Sequence, residues 1–461
     1  DGLSYKIQFG PDFRHYRRGL FIDASSAVRM GSKNMARRDD ARYFSWTLDN
    51  MIMYNKKFDD HSFNVTLLQS ASKYNAENGS MSEVDVLVPE FLWNNMGQID
   101  IANTTKYDPG MSTGLTESQM SSYMARINYS YKDRYLLTVS GRYDGSSVLA
   151  EGNKWSFFPS AALGWRIDQE SFMEGIDWIN QLKLRVGVGS TGNSSVSPYG
   201  TLGVISAYWM PFGNAGGNQQ IFVTNEPYYS SGSNLLPNKD LGWEKTTQFN
   251  YGIDFSVLDG RIGGTIDIYH SRTTDLLMRR SISPLSGYPA MMDNIGETKN
   301  FGVDLTLNTV PVKFKDFQWN SDLTLAYQKD EIVELANGKE DDIANAWFIG
   351  ESIAVHYGID NEGIWQAEDQ ELMDKFNANG HKFTAGNVRP KDQNGDFKID
   401  DKDRVILGGQ NPTWTMGWTN TFTWKGFELA VELYGRFGYM VSTGGEGQLG
   451  MYQQREIDYW T

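Results

Sequence analysis

The sequence predicts an all-β chain, a transmembrane antiparallel β-barrel, on three observations. Runs of alternating apolar and polar residues recur along its 461 residues, the period at which a strand shows one greasy and one wet face. Tight polar turns alternate with long polar connections, and aromatic residues crowd the strand ends, as in barrels with short turns on one side of a membrane and long loops on the other. No run approaches the ~20 consecutive apolar residues of a membrane helix. The mean hydropathy of −0.49 does not count against a barrel, in which only alternate residues face lipid. The competing reading is a soluble antiparallel sandwich that buries its apolar face against a second sheet.

Taken in order, Leu3, Tyr5, Ile7 and Phe9 alternate with polar residues and give a first strand. Phe44, Trp46 and Leu48 begin a second that reaches Tyr54; Asn55-Lys56-Lys57 reads as its turn, and Phe63, Val65 and Leu67 open the partner. Residues 72–121 bear Asn, Ser and Gly with Pro89 and Pro109, and read as a long exposed loop. Tyr123 to Ile167 contains three strand-like runs with one shared property. Ala125, Ile127 and Tyr129 alternate with Met124, Arg126 and Asn128; Lys132-Asp133-Arg134 is a tight hairpin; Leu137, Val139 and Tyr143 return. Asp144 to Phe157 reads as a polar loop before Ala161, Leu163, Trp165 and Ile167. A helical turn is expected within 170–178, then a strand through Leu182, Leu184, Val186 and Val188. A second long loop covers 190–242. Phe249 to Val257, a turn at Leu258-Asp259-Gly260, and Ile262 to Ile268 form a hairpin. Phe301 to Leu307 and Trp319 to Tyr327 flank a connection at Pro311–Asp316, and a third loop, 328–411, is polar and acidic. Trp414 to Trp424, the turn Lys425-Gly426 and Phe427 to Leu433 close the series at about a dozen strands.

Composition narrows the function. A net charge of −15 with no basic stripe argues against nucleic acid as partner. The absence of cysteine excludes disulfides and thiolate metal sites. Five scattered histidines make no metalloprotease spacing, no carboxylate pair stands out as an acid–base couple, and the Gly-rich run from Gly187 lacks a phosphate-loop lysine. The chain does not read as an enzyme. Tyr208, Trp209, Tyr228 and Tyr229 in the second long loop are candidates for stacking on sugar rings or peptides, or for plain loop packing. The sharpest motif is Asp392 to Asp403, which resembles an EF-hand or dockerin calcium loop. Its donors would be Asp392, Asn394, Asp396, the Lys398 carbonyl and Asp403. Phe397 departs from it where glycine is usual; an Asx-rich turn bonding its own backbone is the alternative.

Several phrases then resemble one family. RINYSYKDRYLLTVSGRYDGSSVL, KWSFFPSAALGWRI, LKLRVGVGSTGN, LGWEKTTQFNYGIDFSVLDGRIGGTIDIYHSRTTDLL, SGYPAMMDNIGETKNFGVDLTL and NPTWTMGWTNTFTWKGFELAVELYGRFG look like the barrel of SusC/RagA-type TonB-dependent transporters of the Bacteroidota. The likeness runs from about residue 120 onward. It implies an outer-membrane barrel of about 22 strands around a plug. It further implies import of oligosaccharides or peptides under a SusD-like lid lipoprotein, TonB energisation, and a dimer of transporter–lid pairs. SusC-like proteins often carry the DxNGDxxID phrase as well. The plug, the TonB-contacting segment and the last strands have no counterpart here, so the chain reads as most of the barrel of a larger protein. The alternative from another class is a non-transporting surface β-protein that binds glycan or acts as an adhesin; a glycoside hydrolase is a third reading.

Overall fold

The computed structural model describes residues 2–86, 88–94, 96, 110–202, 206–211, 218–223, 235–286 and 288–442. Its first strands are β1 (Leu3–Ile22), β2 (Met35–Phe58), β3 (His61–Val84), β4 (Gly110–Tyr131), β5 (Tyr135–Ser146), β6 (Trp155–Arg166) and β7 (Ile179–Asn193). A small hairpin, β8 (Ser206–Pro211) and β9 (Asn218–Val223), precedes β10 (Glu244–Val257) and β11 (Ile262–Thr274). A second hairpin, β12 (Leu277–Ser281) and β13 (Ala290–Asn294), leads to β14 (Glu297–Phe314) and β15 (Phe317–Glu334). The short strands β16 (Val355–Ile359) and β17 (Asn361–Ile364), helix α1 (Gln370–Ala378), β18 (Val388–Pro390) and β19 (Arg404–Gly409) follow. The series ends with β20 (Trp414–Trp424) and β21 (Phe427–Phe437). Thirteen strands form one sheet in chain order, β1 to β7, then β10, β11, β14, β15, β20 and β21. The chain divides into two compact units. One comprises Asp1–Leu163, Val188–Thr246 and Asp275–Ile295; the other comprises Gly164–Gly187, Thr247–Thr274 and the residues from Gly296 onward.

In the first unit, register sorts side chains into rows. Leu3, Tyr54, Val65, Ile127 and Val139 stand side by side across five strands, and Tyr5, Ile52, Leu67, Ala125 and Gly141 form the next row. One residue out of phase, Thr66, Arg126 and Ser140 line the other face. A slip of one residue would exchange the faces, so the apolar rows fix the register. They are also largely uncovered: Leu3 is 70% and Ile127 46% exposed. Aromatic clusters bound them. The Phe63 ring lies 4.7 Å from Tyr129, tilted, near the short turns, and Tyr143 lies 4.9 Å from Trp155 toward the loops, an apolar band between two girdles.

The second unit repeats the pattern. Ile268, Val303, Tyr327 and Trp414 align, as do Ile266, Leu305, Leu325 and Met416. On its wet face Arg185 holds Asp254 in a two-pronged pair, Nη2–Oδ1 2.7 Å and Nε–Oδ2 3.0 Å, and reaches Asp267 at 3.1 Å. These mid-strand charges are tolerable because they point away from the apolar rows.

The short turns use left-handed backbone. Lys132 and Asp133 sit at φ 53° and 52°, and Leu258 and Asp259 both at 55°, the hand that matches strand twist in a tight hairpin. Two turns differ from expectation. β2 continues through Asn55-Lys56-Lys57, which pair with Asn64, Phe63 and Ser62, and the chain reverses at Asp59–Asp60. The proline at 311 does not end β14: the register shifts between Thr309 and Val312, and a bulge accommodates the missing N–H. The expected helical turn after β6 is a pair of 3₁₀ turns, Ile167–Gln169 and Ser171–Met173. Burial opposes ionisation of Asp168, but hydrogen bonds from Gln169, Arg166 and the Leu182 amide outweigh it and hold its carboxyl below the ordinary value.

At the other end the strands run much further than expected. β3 and β4 pair from His61–Tyr131 to Ser82–Gly110, so both flanks of the expected 72–121 loop, half of its residues, are sheet. A 24-residue strand rises about 80 Å, whereas a membrane-spanning strand needs about 9–11 residues. The polar remainder of β2 and β3 stands clear of the apolar band. The expected polar loop after β5 also shrinks, to residues 147–154. It carries Val148 and Leu149 into a core with Phe158 and Trp243. Gly192 lets this core close, because a Cβ there would sit 2.1 Å from the Phe158 ring.

Candidate functional site

The loop end of the first unit is held by short polar ties. Asn294 bonds both ways with Gly242, accepting from its amide at 2.6 Å and donating to its carbonyl at 3.1 Å. Asn153 donates to the Asp240 carbonyl at 2.7 Å, Asn238 to the Met292 carbonyl at 2.9 Å, and the Trp243 indole to the Lys154 carbonyl at 2.9 Å. Three connections, 147–154, 235–243 and the β12–β13 hairpin, thereby become one fixed surface.

Beside it, on the wet face, lies a groove of about 430 Å³. Ser45, Ser72, Ser118 and Ser146 supply hydroxyls from four successive strands; Tyr74, Met120, Val148 and Val196 supply apolar walls. Lys73 and Glu117 pair at 3.0 Å at its margin, and the Tyr199 hydroxyl accepts from the Glu117 amide at 3.2 Å. Arg142 holds the buried Asp144 at 2.7 Å and donates to Ser122 at 2.9 Å. Hydroxyls with apolar walls bind by hydrogen bonds and stacking. Sequence reasoning missed this site, because its serines sit one per strand and only register assembles them. Of the four loop aromatics, Tyr208 and Trp209 fall on β8 with side chains outside the described residues, and Tyr228 and Tyr229 lie outside them altogether.

In the second unit the long connection after β15 is a folded module. β16 pairs with β19 and β17 with β18. α1 turns Met373 and Phe376 onto Trp365, all three buried, with Leu372, Phe383, Phe397 and Ile399 packed around them. The Arg389 guanidinium lies 4.8 Å from the Trp365 ring centre. This stretch reads as polar in sequence, yet the apolar residues of α1 fall on one face.

The 392–403 loop docks on that core. Asp392 accepts from the amides of Gly395 at 2.7 Å and Phe397 at 2.8 Å. Asn394 caps the Asp396 amide, Asp396 caps that of Lys398, and the fully buried Asp403 takes the amides of Gln393 at 2.9 Å and Asp400 at 2.8 Å. Phe397 adopts φ 58°, the left-handed conformation that glycine usually provides, and its ring packs in the core. The donor types suit calcium, and the side chains of Asp392, Asn394, Asp396 and Asp403 also accept from backbone amides as in an Asx turn. Among the described residues no three His, Asp or Glu side chains converge as a cation would need.

A family model described as TonB dependent receptor-like, beta-barrel, matches residues 1–434. A TonB-dependent receptor of Formosa agariphila is 28% identical over 445 residues, covering 93% of this chain and 43% of that protein. The TonB-dependent receptor SusC of Bacteroides thetaiotaomicron is 32% identical over 325 residues, 69% of this chain and 31% of SusC. The solved structure of the RagAB peptide transporter superposes with a TM-score of 0.75 at 21% identity, covering 95% of this chain and 46% of that one; this likeness bears on the fold. The chain spans less than half the length of these relatives. The exposed apolar rows, the two girdles and the alternation of turns with long connections are those of an outer-membrane barrel, and the match covers nearly the whole chain. The chain belongs to the TonB-dependent receptor β-barrel family, of SusC/RagA type, and forms part of an outer-membrane barrel.

Proposed function

We propose that the chain is part of the barrel of an importer that takes up oligosaccharides or peptides, working with a SusD-like lid lipoprotein and drawing energy through TonB. The observation that carries this reading is the wet-face groove at the loop end, where Ser45, Ser72, Ser118 and Ser146 face Tyr74, Met120 and Val196. Such a surface binds an oligomer by hydroxyl hydrogen bonds and apolar contact, with no covalent chemistry. The lid closes over bound ligand, and the pull on a plug inside the barrel opens the path inward. Two transporter–lid pairs assemble in this scheme.

The test uses the complete protein in its own outer membrane. Uptake of fluorescent oligosaccharide and oligopeptide pools is measured with and without TonB, and the complex is purified through this chain in detergent. Import of one pool that depends on TonB, a co-purifying lipoprotein, and its loss in Ser72→Trp or Ser118→Trp, which fill the groove, support the proposal. Binding of a pool that persists unchanged without TonB, with no import, overturns it in favour of a non-transporting surface receptor.

A further inference from the structure

On the opposite, apolar face of the first unit the rows are not flush. Ala125 and Gly141 are register partners and leave a depression of about 500 Å³ between taller side chains. Tyr5, Ile52, Leu67, Tyr123, Tyr143 and Phe157 wall it. The Phe157 ring lies over Gly141, whose Cβ, if present, would come within 2.7 Å of it. The volume is within the range of about 300–1,000 Å³ that holds small ligands.

One end of this depression is polar. Asn50 and Gln69 are cross-strand partners in the row of Tyr123 and Tyr143. The Asn50 amide donates to Gln69 Oε1 at 2.7 Å, and the Tyr5 hydroxyl donates to Asn50 Oδ1 at 2.7 Å. Gln69 lines the depression, and its amide nitrogen has no acceptor among the described residues. A side-chain amide on a lipid-facing surface costs free energy unless its donors are met. The row is also that of the loop-side girdle, since Trp155 stacks on Tyr123 at 6.1 Å and on Tyr143 at 4.9 Å. Girdle residues sit at the headgroup level, where an acyl lipid carries its ester carbonyls.

We infer that this depression is a lipid site. An acyl chain lies over Ala125 and Gly141 between the tyrosines and Phe157, and the lipid's carbonyl accepts from the Gln69 amide. The inference rests on the membrane placement of the apolar face and is independent of what the protein transports.

The experiment reconstitutes the complete protein in phosphatidylethanolamine vesicles carrying a photoreactive group beside one acyl carbonyl, and maps the adducts by peptide mass spectrometry. Adducts concentrated on the peptides holding Asn50, Gln69, Tyr123 and Phe157 are expected. Gln69→Leu removes the donor and lowers that labelling about tenfold, the worth of one hydrogen bond of about 1.4 kcal/mol. Gly141→Leu fills the depression and abolishes it. The Gln69 variant keeps the test decisive if the Gly141 variant fails to fold. Labelling spread evenly over the apolar face, or unchanged in Gln69→Leu, overturns the site while leaving the membrane placement standing. Adducts that fragmentation locates only on wet-face residues such as Thr66, Arg126 and Ser140 would overturn the placement itself. A second copy cross-linked over the depression would replace the lipid as its occupant and refute the inference.

Discussion

Placing an arginine at position 127 tests which face of the sheet meets lipid. Ile127 lies four residues from Tyr123 and two from Tyr129 along β4, so it is about 13 Å along the strand from the loop-side girdle and about 7 Å from the turn-side one. With a tilt of about 40°, that is about 10 Å and about 5 Å of depth, inside the apolar band between the girdles. Arginine on the lipid face at mid-depth costs about 2–4 kcal/mol, roughly 30- to 700-fold in the folding equilibrium. The neighbouring residue is Arg126 on the other face, where the native chain already carries this charge at this depth. Asn128→Arg on that wet face loses the Asn128 bonds to Asn64 and Thr138 and should cost only about 1 kcal/mol. Urea titration of the complete protein in lipid vesicles, read by the gel shift between folded and heated barrel, measures both. Equal costs, or a larger cost at 128, would refute the assignment of faces and with it the reading of the exposed rows as lipid contacts.

Leu149→Ala should destabilise the loop-end core of the first unit by about 2–5 kcal/mol. Hydrogen exchange would then rise in residues 147–154 and 235–243 while the girdle-to-girdle stretch of β3 and β4 keeps its protection. Asp403→Ala strips acceptors from the Gln393 and Asp400 amides, a loss of about 1–3 kcal/mol for each orphaned group; limited proteolysis should cut within 392–403 at least tenfold faster. Chelator should leave the wild-type rate there unchanged, and acceleration by chelator would instead reveal a cation among these oxygens. Asp168 has a folded-state pKa depressed below 3.8, so its contribution is complete above that value and disappears as pH falls through the folded pKa. Exchange at the Leu182 amide should rise only below about pH 4, and Asp168→Asn should remove that step.

The parts legible in the sequence are those where lipid enforces a code. Between the girdles strands tend to show apolar residues to one side and polar to the other, and Tyr123 to Tyr143 does so apart from Met124 and Leu136. Beyond the band both faces of a strand are wet, and nothing compels alternation. Residues 72–84 and 110–121 therefore read as loop although the backbone ladder continues through them to Ser82 and Gly110. The same reason hid the turn at Asp59–Asp60, since Asn55, Lys56 and Lys57 are strand residues already outside the band.

The candidate binding surface is hidden for a different reason. A motif is legible when its residues are close in sequence, as the Asp392–Asp403 loop is; even there the spacing specified only oxygens, and the geometry turns them onto backbone amides. The groove draws one serine from each of four strands, and the lipid-facing depression exists because Ala125 meets Gly141 across β4 and β5. Neither pairing leaves a local signature. Both follow from register, and register follows from the apolar rows. In this chain the membrane-facing alternation that carries no chemistry is what brings together the residues that do.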